Sequence, residues 1–124
     1  MKLLTHNMLT SKCLKGVVVG YPLAIVAKEV KVSEVEFNPD FISRMILKVD
    51  WPALCKAAEN VGHAEDLPPA VVDDYENNQD FLKKAHHALM EIEVINGDLV
   101  CPETGRKFPV TDGIPNMLAN EDEV

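Results

Sequence analysis

The side chains here best suited to nucleophilic or metal chemistry are three cysteines, Cys13, Cys55 and Cys101, and four histidines. Cys101 is the most informative of them. It ends the apolar run Leu99-Val100 and is followed by Pro102-Glu103-Thr104-Gly105, a turn sequence. A strand, a cysteine and a tight turn resemble one knuckle of a zinc ribbon, in which two sulfurs on one turn chelate the ion. The second ligand position is Thr104, which is not a zinc ligand, and the N-terminal segment offers Cys13 alone. Two thiols are too few for a closed tetrahedral site unless histidines join. Cys55 lies among alanines at helical spacing and reads as a small core residue. His86 and His87 are adjacent, so on a helix one borders the apolar stripe and the other points outward. His6 and His63 stand alone in the sequence.

Other chemistries leave no trace. The chain holds no Gly-x-Ser-x-Gly, no His-Glu-x-x-His, no Gly-x-Gly-x-x-Gly and no phosphate-cradling glycine loop. Carboxylates are plentiful but cluster in loops and in the closing Asn120-Glu121-Asp122-Glu123-Val124, where they read as solvated surface. A small enzyme working alone through Cys101 or a histidine is the alternative to a noncatalytic role. Its mark would be turnover by the purified chain and a reactive, low-pKa thiolate.

The elements that must position these residues follow from composition and period. The chain has 124 residues, 47% of them apolar and 26% charged, which suits one folded domain or one domain with an insertion. Its net charge of −8 is the reverse of what a nucleic-acid binder needs, so direct RNA binding by this chain alone is not expected. No apolar run approaches the ~20 residues of a membrane span. The opening residues lack a long apolar stretch with a small-residue cleavage site, against a secretory signal. An odd number of widely spaced cysteines indicates a reducing compartment.

Residues 1–36 read as extended structure with turns. Val17, Val18 and Val19 favour strand between Lys15-Gly16 and Gly20-Tyr21-Pro22. Leu23, Ile25 and Ala27, then Val30 and Val32, alternate with a slip that predicts a strand bulged near Lys28-Glu29. Residues 37–91 read as helical. Asn38-Pro39-Asp40 and Asp50-Trp51-Pro52 are helix starts. The stripes Phe41, Ile42, Met45, Ile46 and Leu54, Ala57, Ala58, Val61 follow them. Gly62 is a stop, residues 63–76 an exposed loop, and a third helix is predicted over residues 78–92. Phe41, Met45, Leu54, Phe81, Ala85 and Leu89 are the expected core of these helices. Residues 92–124 return to strand: Asn96-Gly97 predicts a hairpin, Pro102 to Gly105 and Thr111-Asp112-Gly113 are turns, and Lys107 to Val110 is a strand between them. The fold class is α+β, with an antiparallel β module built from both termini bracketing a helical insertion.

Four segments carry a resemblance. The opening Met1-Lys2-Leu3-Leu4-Thr5-His6-Asn7-Met8-Leu9, then Glu36-Phe37-Asn38-Pro39-Asp40-Phe41, Val49-Asp50-Trp51-Pro52-Ala53 and Gly113-Ile114-Pro115-Asn116-Met117-Leu118 occur in order across nearly the whole chain. Together they resemble the multifunctional methyltransferase subunit family, the small activators shared by several eukaryotic and archaeal methyltransferases. The resemblance implies a noncatalytic partner that binds, one at a time as heterodimers, catalytic subunits acting on tRNA, small-subunit rRNA and a translation release factor, in cytoplasm and nucleus. It implies no cofactor in this chain, with S-adenosylmethionine held by the catalytic subunit. It implies a zinc-ribbon-like module from residues 1–36 and 92–124, with a three-helix domain over residues 37–91 inserted.

Family members that bind zinc place four cysteines at positions matching Ser11, Gly16, Cys101 and Thr104. Only Cys101 is retained, so the resemblance implies a metal-free branch. It also places the partner contact on Thr5, His6, Asn7, Met8 and Leu9 and on Ile114, Pro115, Asn116, Met117 and Leu118. These two segments are expected side by side, apolar residues filling a partner's pockets while Asn7 and Asn116 bond an added strand. Pro115 suits an edge strand, since it cannot donate to a ladder.

Overall fold

The computed structural model describes residues 1–11, 14–63 and 67–118. Cys13 and the acidic closing residues lie outside the described residues. Four antiparallel strands form one sheet in the order β1-β2-β3-β4: β1 Ala24–Val32, β2 Ile92–Val100, β3 Lys107–Thr111 and β4 Ile114–Pro115. All the helices but the first are inserted between β1 and β2.

The predicted bulge in β1 is present. Ala27 faces Gly97, Glu29 faces Asn96 and Val30 faces Val94, so the ladder slips across residues 27–30. That slip corrects the Asn96-Gly97 reading. No turn forms there; β2 runs straight through both residues. A Cβ at Gly97 would lie 2.4 Å from the Val26 carbonyl oxygen and 3.0 Å from the Ala27 Cα. The glycine is there because the bulged backbone of β1 presses onto it. The short hairpin lies instead at Asp112-Gly113, whose φ values of 52° and 78° suit the tight link between β3 and β4.

Two further expectations are corrected near the start. Residues 17–19 form no strand. The opening residues are not extended: α1 spans Leu3–Asn7, with Leu3, His6 and Asn7 buried. Its N-cap, Lys2, makes no side-chain cap, so no local signal announces this helix.

The later helices start as their caps dictate. Asn38 Oδ1 accepts from Phe41 N at 3.1 Å to open α2, Pro39–Ile46. Asp50 Oδ1 accepts from Ala53 N at 3.1 Å to open α3, Trp51–Asn60. Asn78 Oδ1 accepts from Phe81 N at 3.1 Å to open α4, Gln79–His86. α4 widens into a π turn over His87–Glu91 and feeds directly into β2. Gly62, at φ 79°, follows the end of α3 as expected.

One continuous core joins helices and sheet. Leu3, Ile42, Leu54, Phe81, Leu82, Ala85 and Leu89 meet Ile92, Val94, Leu99 and Phe108 within it. Trp51 and Phe81 stack with ring centroids 5.2 Å apart. On α2 the expected pair is displaced by one position: Ile42 and Ile46 are buried, while Phe41 and Met45 are half-buried. The inward face of α2 is therefore rotated from the one read in the sequence. No helix among the described residues is long and apolar enough to cross a membrane.

Candidate docking surface

The N-terminal segment is fastened from below. The Met1 α-amine donates to the carbonyls of Val94 at 2.8 Å and Gly113 at 2.6 Å. Burial holds this amine below its ordinary pKa, opposed in part by the Glu93 carboxylate. Val94 N donates back to Met1 O at 2.7 Å. Met1 thus sits beside the turn that precedes Ile114, four residues before the candidate segment Thr5 to Leu9 begins.

Two expected contact residues face inward. His6 Nε2 donates to Leu23 O at 2.6 Å, and its Nδ1 is buried without a hydrogen-bond partner. Burial pushes the His6 pKa down, which fits a neutral imidazole carrying its proton on Nε2. Asn7 spends both ends of its amide on the backbone of Asp50. The expectation that Asn7 bonds an added strand is corrected: His6 and Asn7 position the segment, and Thr5 and Met8 are its outward residues. Met8 is 54% exposed; Leu4 and Leu9 are half-buried.

The closing segment has the opposite character. Ile114 and Leu118 are 70% and 80% exposed, Asn116 is exposed, and Pro115 and Met117 are half-buried. Met117 packs against the core, which makes it a weaker candidate for the centre of an interface than its neighbours. Asn116 N donates to Pro109 O at 2.9 Å, and Asn116 Oδ1 accepts from Leu118 N at 3.1 Å.

The two sheet edges differ in a way that matters for docking. β1 is guarded by exposed Lys28 and Lys31, by its bulge, and by Asn60 Oδ1, which accepts from Ile25 N at 3.0 Å. Charges, bulges and capped amides are what keep an edge from pairing. β4 is short, carries Pro115, and presents exposed Ile114 with no charged residue of its own. β4 is therefore the less guarded of the two edges.

The candidate metal locus and the candidate catalytic groups resolve differently. Three positions implied as ligands do converge. Ser11 Oγ donates to Cys101 Sγ at 3.0 Å, and Thr104 N donates to the same sulfur at 3.4 Å. The set holds one thiol with two hydroxyl residues and a glycine, and a zinc ion does not fit it. Groups of three or more His, Cys, Asp or Glu placed to hold a metal are absent among the described residues. Burial pushes the Cys101 thiol up, but hydrogen bonds from Ser11, Thr104 and the Glu103 backbone outweigh it and leave the pKa below its ordinary value. This sulfur is nonetheless buried, so its low pKa serves no accessible nucleophile.

The histidines lie elsewhere. His86 Nε2 donates to Val35 O at 2.8 Å, and His87 Nδ1 sits 2.8 Å from Glu91 Oε1. No cysteine–histidine pair forms from these contacts. Cys55 is half-buried, and burial raises its pKa.

One residue escaped the sequence reading. Glu103, taken as a solvated carboxylate, accepts from Val18 N, Val19 N and Gly20 N at 3.2, 2.9 and 2.6 Å. Its place in the turn after Cys101 was visible; nothing in the spacing announced a reach back to residues 18–20.

Comparison with known proteins fits this arrangement. A family model described as Trm112p-like protein matches residues 2–113. The chain is 54% identical to the multifunctional methyltransferase subunit TRM112 homolog A of Arabidopsis thaliana over 127 residues, covering 100% of each. It is 52% identical to the multifunctional methyltransferase subunit TRM112-like protein of Bos taurus over 124 residues, covering 99% of this chain and 98% of that one. A Trm112 chain from the E. cuniculi Mtq2-Trm112 complex shares the fold at 18% identity, with a TM-score of 0.52 over 95% of each chain. The family resemblance carried by the opening, central and closing motifs is borne out, and the chain belongs to the Trm112p-like family.

Proposed function

We propose that this chain is a noncatalytic activator subunit that docks S-adenosylmethionine-dependent methyltransferases through the β4 edge. The observation that carries the reading is the asymmetry of the sheet: β1 is blocked by charge, bulge and a side-chain cap, while Ile114 and Leu118 stand open on the other side. The relatives named methyltransferase subunits, and the solved Mtq2-Trm112 complex, support a heterodimer. The burial of Cys101 supports a role without catalysis in this chain.

In this reading the sheet with its turns is a zinc-ribbon-like module held without zinc, and residues 37–91 are a helical insertion that buttresses it. S-adenosylmethionine belongs to the catalytic subunit. The partners are several methyltransferases bound one at a time, acting on tRNA, small-subunit rRNA and a release factor, in cytoplasm and nucleus. The E. cuniculi Mtq2-Trm112 complex, which methylates the translation termination factor eRF1, supports the release-factor arm.

The test is methyl transfer measured with an Mtq2-type subunit alone, with this chain alone, and with both. Activity only in the mixture is expected. Turnover by this chain alone, or full activity of the catalytic subunit without it, would refute the proposal.

A further inference from the structure

Glu103 lies in the turn between β2 and β3, two residues beyond Cys101. Its carboxylate gathers three consecutive backbone amides, those of Val18, Val19 and Gly20. Charge-assisted bonds of this kind are among the stronger ones available to a backbone. Ser11 N donates to Gly20 O at 2.9 Å on the same loop. The fit is close: a Cβ on Gly20, which sits at φ 59°, would come within 2.6 Å of Ser11 Oγ. The loop is thus fastened at the locus where the donor set does not fit a metal.

This fastening has a consequence at the surface. Val18 and Val19 are 78% and 55% exposed, two adjacent β-branched side chains held outward on an ordered loop. Ordering completed before docking is not charged against affinity. The register places the loop at the same end of the sheet as the closing segment, although the loop itself leads into β1 on the other side. β3 begins just after the Glu103 turn, and Asn116 bonds Pro109, so residues 116–118 run back along β3 toward that same turn. Exposed Leu118 and the two valines therefore flank one end of the sheet.

We propose that residues 17–20, clipped by Glu103, are a second contact of the docking edge, with Val18 and Val19 seated on the methyltransferase subunit. This rests on the activator reading and extends its surface.

The experiment titrates an Mtq2-type methyltransferase subunit with the wild-type chain, with a Val18→Ser/Val19→Ser double variant, and with Glu103→Gln. The double variant keeps every backbone amide, so its melting temperature should match wild type while binding weakens on the order of tenfold. Glu103→Gln should speed amide exchange at Val18, Val19 and Gly20 and weaken binding too. Undiminished binding by the double variant removes the valines from the interface but leaves the activator reading standing. Weaker binding that comes only with a large fall in melting temperature makes the valines structural and also overturns the proposal. Unchanged exchange in Glu103→Gln overturns the clip. A well-folded wild-type chain that binds no methyltransferase refutes the activator reading, and this one with it.

Discussion

Asn7 and Asp50 exchange two hydrogen bonds: Asn7 Nδ2 donates to the Asp50 carbonyl at 2.9 Å, and Asp50 N donates to Asn7 Oδ1 at 2.9 Å. The pair joins the last residue of α1 to the N-cap of α3. A single side chain thus ties the opening segment to the helices behind it. Asn7→Ala leaves both backbone groups of Asp50 without their partner. The expected cost is about 1–3 kcal/mol, read as a lower urea midpoint with an unchanged m-value.

Phe81 is the centre of the aromatic group formed with Trp51 and Tyr75, and it is 3% exposed. Phe81→Ala should cost about 3–5 kcal/mol. An unchanged melting temperature would contradict its placement in the core.

His6 sets a pH dependence. Its folded pKa is below the ordinary value of 6.5, because burial opposes the charge. The unfolded chain therefore takes up the proton first as pH falls. The stabilising contribution is full above 6.5 and is lost as pH drops from there toward the folded value. Urea midpoints of wild type and His6→Gln, compared at neutral pH and near pH 5, should converge toward the acid end. A gap that stays constant would contradict a neutral, buried His6.

Much of this was legible where the cause is local. Asn38, Asp50 and Asn78 cap helices through bonds that reach three residues ahead, and the β1 slip shows in the alternation of Ile25 to Val32. What escaped depends on distant partners. α1 has no cap and exists because Leu3, His6 and Asn7 are buried by later parts of the chain. Gly97 answers to β1, pressed against it across the sheet, and so the Asn-Gly pair misled. For the candidate contact residues, the resemblance, together with apolar type, located the segments. It could not tell Ile114, which is exposed, from Met117, which packs inward, nor foresee that Asn7 is already committed to Asp50.

The donor set around Cys101 predicts protein without stoichiometric zinc. Elemental analysis of the chain purified without chelator should find well under one zinc per chain, and chelator should not shift the melting temperature. One zinc per chain would mean that another ligand completes the site.

The β4 edge is the centre of the account, and its exposed residues are the place to test it. An Ile114→Lys/Leu118→Lys double variant puts two charges on that edge while leaving the core untouched, since both side chains are largely solvated in the free chain. The measurement is affinity capture of a co-expressed Mtq2-type methyltransferase subunit, paired with a circular-dichroism melt of the free variant. A wild-type melt and loss of capture are expected. Undiminished capture by the folded variant would contradict docking through the β4 edge.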